Sequence, residues 1–398
     1  MKAPLIKGWC PGALRPMMSG DGLVVRIRPR SGRLTPEQAR GIAVLSAQHG
    51  NGLIDLSARA NVQLRGVADA AHGPLIEGLS ALGLIDETTE AESRRNITVT
   101  PFWRDSDGTV DIARALERAL GAPDAPELPG KFGFSVDSVF RPSILGSVSA
   151  DIRITPHFEG WLVYADTFIT GAMVDSAEAV AEAAVELAHW FISVGGIVDG
   201  RGRMARLWPD EPGASRNGRL PTRFQQGGVN FANVPVVEVG PHELGYIVGF
   251  EFGQITAETM SVLAENGPLR ITPWRMILIE GATALPAIPG LITDPADPML
   301  RVTACTGAPG CPQALIATRG LARALGASLP ESARLHVSGC AKGCAHPGPA
   351  PLTLVGRADG TVDLIRNGTA AGSPSLTGLG PATLTDNPAL LTEIQHAP

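Results

Sequence analysis

Cysteine is scarce in this sequence: five residues in 398 cannot make a disulfide framework for a chain of this length. Lysine is scarcer still, because Lys2, Lys7, Lys131 and Lys342 are the only ones. No apolar run approaches the roughly 20 residues of a membrane-spanning helix, so no membrane partner is expected. The opening Met1–Lys7 has no apolar core of a secretory signal, and the expected compartment is the cytoplasm. A net charge of −6 leaves no global basic field for nucleic acid. No G-x-G-x-x-G follows a strand pattern, so no dinucleotide site is expected; a reduced external partner is the expected electron donor, and the sequence does not name it.

What remains is a globular composition, 44% hydrophobic and 18% charged, too long for one ordinary core. The chain repeats itself. Thr35-Pro36-Glu37-Gln38 starts a helix to about His49, with Thr35 as N-cap, Pro36 at N1 and Gln38 closing a capping box. Gly50 or Gly52 supplies the stop. The strand Leu23–Arg28 precedes it, and Leu53–Leu56 and Ala60–Leu64 follow. A second copy runs from Tyr246–Phe250 through a helix about one turn shorter, stopped by Asn266-Gly267, to strands Leu269–Ile271 and Met276–Ile279. A period this long is duplication of a module and not a solenoid. Between the copies lie strands Asp151–Ile154 and Trp161–Ala165 and a helix over Ser176–Ile192. Past residue 299 we expect a helix near Pro312–Leu325 and strands at Arg334–Val337, Leu352–Val355 and Val362–Ile365.

Four of the cysteines fall in two close pairs, Cys305-Thr-Gly-Ala-Pro-Gly-Cys311 and Cys340-Ala-Lys-Gly-Cys344. Glycine-rich loops with paired thiolates suit a cubane iron–sulfur cluster, whose bulk the backbone must wrap. Structural zinc is the plainer reading, but its pairs are usually C-x2-C to C-x4-C and the x5 spacing is awkward. The fifth, Cys10, reads as a semi-buried free thiol or as part of a segment folding over a pocket.

Cationic residues gather on strand patterns. Arg59, Asn61, Gln63 and Arg65 alternate with Ala60, Val62 and Leu64, and Arg26, Arg28 and Arg30 oppose Leu23, Val25 and Ile27. A face of guanidinium and amide groups without acidic partners fits the carboxylates of a ligand. A G- and C-rich genome alone could explain the bias to arginine. By alignment Arg59 and Gln63 become Trp274 and Leu278 in the second copy, so the fold does not require the polar set.

A-C-T-G-A-P-G-C-P and V-S-G-C-A-K-G-C-A-H-P, taken together, resemble the cluster motif of sirohaem-dependent sulfite and nitrite reductases. Leu56–Arg65 is similar to that family's strand over the tetrapyrrole, and Arg94–Ile97 and Leu128–Phe132 to segments that meet its carboxylates. The resemblance implies an α+β fold of duplicated ferredoxin-like half-domains plus two α/β reductase-like domains, the last carrying a [4Fe–4S] cluster on Cys305, Cys311, Cys340 and Cys344. The expected boundaries are 1–90, 91–225, 226–292 and 293–398. Arg26, Arg28, Arg59, Asn61, Gln63, Arg65, Arg95 and Lys131 would bind the tetrapyrrole, facing Cys344, which in that family bridges to sirohaem iron.

The sequence also departs from the reductases. It is short, glycine stands at 133 where a second anion-binding lysine is expected, and Ala-Lys-Gly replaces Pro-Asn-Gly between the last cysteines. The opening Lys7–Met17 with Ser19–Leu23 resembles instead the precorrin-3B synthase branch of the superfamily. That resemblance implies precorrin-3A as substrate, dioxygen as co-substrate, hydroxylation at C20 with γ-lactone closure by the ring A acetate, and a mononuclear non-haem iron. His157, Glu159 and His346 are the candidate ligands of that iron, since a 2-His-1-carboxylate set is usual, with His336 on the strand entering the loop and His189 read as structural. The alternatives are a sirohaem reductase, or a non-catalytic protein that passes electrons or carries a tetrapyrrole.

Overall fold

The computed structural model describes residues 11–139, 142–228, 234–285 and 287–392; Cys10 lies outside them. Thr35 caps the helix Pro36–His49 with the complete capping box to Gln38. Both Gly50 and Gly52 contribute to its end, their N–H groups returning to the Ser46 carbonyl. The second copy follows the same path, with Thr256 capping Ala257–Ala264. That helix is eight residues against fourteen, nearer two turns shorter than one, because Asn266 Nδ2 closes on Val262 O and Gly267 turns the chain.

The duplication is written in the backbone as well. A 3-10 turn with a left-handed residue precedes each helix, Ser31 at φ 50° and Phe252 at φ 58°. Another left-handed residue marks each following turn, Ala60 at φ 53° and Arg275 at φ 62°. The copies exchange strands. Arg33–Leu34 pairs with Leu269–Ile271, and Gln254–Thr256 pairs with Leu53–Leu56. Each copy thereby completes the other's sheet, and one core draws Val25, Ile27 and Leu64 from the first and Val248, Ile271 and Ile279 from the second. Separating the halves would expose side chains whose burial is worth roughly 1.5–3 kcal/mol each, so they form one domain.

Two α/β units flank this domain. In one, six strands run in the order Gln226–Gly228, Thr170–Val174, Gly160–Ala165, Ile152–His157, Phe134–Val136, Ile97–Val99. Helices Thr109–Gly121 and Ala177–Ser193 pack side by side on it, the second capped by Ser176. Gln226–Gly228 completes this sheet, so the unit extends past residue 225. In the other, the order is Val302–Ala304, Leu335–Ser338, Ala350–Gly356, Val362–Gly368, Leu376–Leu379. Its helix is Thr318–Gly326 and does not start near Pro312. Residues 312–317 cannot join it because their backbone is committed elsewhere: Leu315 N–H donates to Gly339 O, and Ile316 O accepts from Ala308 N–H.

Candidate functional site

The two cysteine loops leave neighbouring strands. Val302–Ala304 and Leu335–Ser338 are parallel, with Ala304 opposite Val337, so Cys305 and Cys340 emerge at the same end of the sheet. Cys305 N–H donates to Val337 O, and Gly339 N–H donates to Cys305 Sγ at 3.2 Å. Gly307 makes the first loop possible: at φ +70° a Cβ would lie 2.5 Å from Thr318 Oγ1. Burial pushes the Cys340 thiol up, and the nearby Cys305 and Cys311 add to that, against the Lys342 backbone N–H. Cys344 is raised by loss of solvent around its sulfur first and then by the other three cysteines, against the Lys342 charge, although the residue as a whole is the most exposed of the four. The two cysteine loops therefore meet at one end of the sheet, with Cys305 Sγ bonded to the N–H of Gly339, the residue before Cys340. Cys305, Cys311 and Cys340 are partly buried and Cys344 is exposed, which leaves one side of the cradle open. Among the described residues no group of three or more His, Cys, Asp or Glu is set to hold a single metal ion. Four cysteines on two facing loops, with the Gly339 N–H aimed at Cys305 Sγ, are a donor set that suits a cubane cluster.

The duplicated domain grips both loops. Ser19 Oγ donates to Gly310 O at 2.6 Å, Gly20 N–H donates to the same carbonyl, and Arg65 Nη2 reaches it at 3.3 Å. Arg275 Nη2 donates to Ala345 O at 2.7 Å, one residue beyond Cys344. Arg319, at the start of the helix after the first loop, meets Asp55 at 3.3 Å.

The predicted basic face takes a different form in three dimensions. Arg26, Gln63, Asp55 and Gln254 stand in one register row across four strands, so the face mixes signs, contrary to the expectation of no acidic partner. Arg65 is buried and bidentate to Asp21 at 3.0 and 2.8 Å, with Asp55 at 3.7 Å. Arg95 is buried and bidentate to Asp86, both bonds 2.8 Å; burial alone would lower its pKa, but Asp86 raises it. Arg28 donates to Glu92 O and lies 3.6 Å from the Glu92 carboxylate. Burial, more than the neighbouring Arg26 and Arg95, lowers it to about 10. Asp21, Asp55, Asp86 and Glu92 escaped the sequence reading because each lies on a different segment from its arginine. An acid inside the apolar strand Leu53–Leu56 was the one local signal, at Asp55.

Arg59 is not on the strand. The strand begins at Val62, and Ala60, left-handed, places Arg59 in the preceding turn. From there Arg59 Nη2 donates to Lys131 O at 2.9 Å, and Asn96 Nδ2 donates to Phe132 O at 2.8 Å. Three segments that the sequence reading chose separately thus meet, with Asn61 buried, Lys131 exposed, and Arg26 bonded to Gln63 Oε1 at 2.8 Å. The glycine at 133 now has a reason. A Cβ there would lie 2.7 Å from Asn96 Nδ2 and 3.2 Å from Asn96 O, so a lysine would have to displace the Asn96 amide from Phe132 O.

The histidines do not assemble as expected. His157 and Glu159 lie at the tip of the hairpin between Ile152–His157 and Gly160–Ala165, beside Phe158, which is 80% exposed. His346 belongs to the cysteine loop of another unit, its Nε2 on Pro349 O at 3.1 Å. The hairpin and the loop come from separate sheets, and the three side chains form no ligand set. His336 is buried with neither ring nitrogen hydrogen-bonded, and its ring lies 5.7 Å from that of His346. Burial, then His346 and Arg275, lowers it to about 4. His189 is exposed on its helix.

Residues 15–82 match the nitrite/sulfite reductase ferredoxin-like half-domain. Across 94% of the chain and 85% of the relative, the sequence is 30% identical to a precorrin-3B synthase of Sinorhizobium sp. It is 25% identical to the ferredoxin–nitrite reductase of Synechococcus elongatus over 94% of this chain and 86% of that one. The fold resembles that of the Mycobacterium tuberculosis NirA protein with a TM-score of 0.64 at 18% identity, covering 92% and 79% of the two chains. Among the described residues no helix is long and apolar enough to cross a membrane. Duplicated half-domains, strand exchange and sequence identity over nearly the whole length lead to one conclusion: the chain belongs to the precorrin-3B synthase family of the nitrite/sulfite reductase superfamily.

Proposed function

We propose that this chain hydroxylates precorrin-3A at C20 with dioxygen, closing a γ-lactone from the ring A acetate, and holds a [4Fe–4S] cluster on Cys305, Cys311, Cys340 and Cys344. The observation that carries the reading is the meeting of two cysteine loops at one end of a sheet, held by Arg65 and Arg275 of the duplicated domain, in a chain 30% identical to a precorrin-3B synthase. One oxygen atom enters the product and the other leaves as water, which consumes two electrons and two protons from an external donor. The cluster, when bound, supplies one-electron transfer. Arg26, Arg59, Gln63 and Lys131 serve as carboxylate contacts, the two arginines with planar guanidinium forks suited to that geometry, Gln63 with an amide N–H and Lys131 with a point charge. Arg28, Arg65 and Arg95, committed to internal acids, hold the scaffold beneath them. The loss of a lysine at 133 argues against a small-anion pocket of the reductase kind. A mononuclear iron is implied by the resemblance, but His157, Glu159 and His346 do not fit it as a set, and no step is assigned to it.

The test is anaerobic purification with iron and sulfide analysis and an absorption spectrum, followed by precorrin-3A, reductant and 18O2. One labelled oxygen in the product, without a haem band, is the expected result. A sirohaem band with sulfite or nitrite reduction would replace this reading with the reductase.

A further inference from the structure

Arg275 stands where the fold asks only for a left-handed backbone. Its counterpart in the first copy is Ala60, and both residues sit at positive φ in the turn between the paired strands of their copy. Left-handed backbone is unfavourable for a residue with a Cβ, and glycine would relieve it. An arginine retained there points to a side chain with a task. The surroundings are shaped to it. Gly253, at φ +67°, leaves room for the stem: a Cβ at that position would lie 2.6 Å from Arg275 Cβ and 2.8 Å from its Cδ. The equivalent glycine of the first copy, Gly32, has nothing nearer than 3.6 Å. Laid over Gly253, the side chain ends with Nη2 on Ala345 O at 2.7 Å.

That carbonyl follows Cys344 directly, and Cys344 is the exposed member of the four. The Arg275 bond is a tether from the second half-domain, complementary to the grip of Ser19, Gly20 and Arg65 on Gly310 in the first loop. It also brings a guanidinium, whose charged neighbours are Asp55 and Arg319, to the backbone of a loop that would carry a cluster gaining negative charge on reduction.

We propose that Arg275 is a positioning residue for the iron–sulfur site: it fixes the Cys344 end of the second cysteine loop and holds a positive charge next to the cluster. The inference rests on the cluster reading of the four cysteines. Its test uses Arg275→Gly, which removes the side chain while relieving the backbone, and Arg275→Lys, which keeps the charge but not the planar fork. Each is purified anaerobically as the full chain beside the unmutated protein. Three quantities are compared: the reduction potential by redox titration, the low-temperature spectrum of the reduced cluster, and the half-life of cluster absorption in air. For Arg275→Gly we expect an apoprotein melting temperature that does not fall, a more negative potential, an altered spectrum and a half-life shortened several-fold. Arg275→Lys should restore the potential more fully than the half-life. A wild-type potential, spectrum and half-life in Arg275→Gly would overturn the proposal. A protein without iron and sulfide before any mutation would overturn the cluster reading itself, so the two failures are distinguishable.

Discussion

Arg65→Ala separates a ligand contact from a brace. Arg65 was chosen from the sequence as a carboxylate reader, yet its side chain is 7% exposed and bound to Asp21 in bidentate fashion, with Asp55 at 3.7 Å and Gly310 O at 3.3 Å. Truncation leaves Asp21 without its cation, while Asp55 keeps Arg319 at 3.3 Å and the Gln254 amide. Removing one partner of a buried ion pair costs about 3–5 kcal/mol. The Asp21 side chain is 22% exposed, so water recovers part of this, and the lower end of about 3 kcal/mol is the expected loss. At about 2–4 °C per kcal/mol for a domain of this size, the apoprotein should melt roughly 6–12 °C lower. The measurement is thermal unfolding of the apoprotein by circular dichroism, beside Arg65→Leu/Asp21→Asn, which leaves one fewer buried charge and should recover part of the loss. Unfolding within a degree of wild type, together with weaker substrate binding, would refute the bracing role and return Arg65 to the ligand face.

The other predictions bear on the cradle, the ligand contacts and one buried histidine. Cys311→Ser should lose the cluster, and iron and sulfide at wild-type levels would remove Cys311 from the ligand set. Arg59→Ala should weaken precorrin-3A binding roughly 10- to 100-fold, the equivalent of a charge-assisted hydrogen bond, with cluster absorption unchanged; unaltered affinity moves the carboxylate contacts elsewhere. The His336 pKa is lowered to about 4 by burial, so the unfolded chain binds its proton first as pH falls. Its contribution is intact above about 6.5 and is lost between there and 4, at most about 3 kcal/mol. His336→Leu apoprotein should therefore lose less stability across that window than wild type in denaturant titrations; parallel pH profiles would contradict the assignment.

Much of the architecture was legible because it is local. The capping box at Thr35 and Gln38, the two helix starts and the strand at Leu53–Leu56 follow from propensity and spacing over a few residues. The helix expected from Pro312 failed because Leu315 N–H donates to Gly339 O and Ile316 O accepts from Ala308 N–H, which no local signal reveals. The internal comparison of the two copies was sound but incomplete. Register places Arg65 opposite no simple deletion: its counterpart is Glu280, as that of Asp55 is Arg270. The ion pair survives in the second copy with its charges reversed, Arg270 and Glu280 bonding directly. Such a swap is invisible to a search for conserved charge, since only the sum across two strands matters.

The sequence by itself determined the duplication and the paired thiols, because periodicity, loop composition and motif spacing are properties of contiguous chain, while the segments that meet at Arg59 were marked only by resemblance to the reductase family. Only the tertiary structure decided which arginines are spoken for. Arg28, Arg65 and Arg95 find Glu92, Asp21 and Asp86 at separations of 9 to 64 residues, and Arg275 finds Ala345 across 70. A guanidinium's role depends on which acceptor is within hydrogen-bond reach when water is excluded, and that acceptor is set by how distant segments pack.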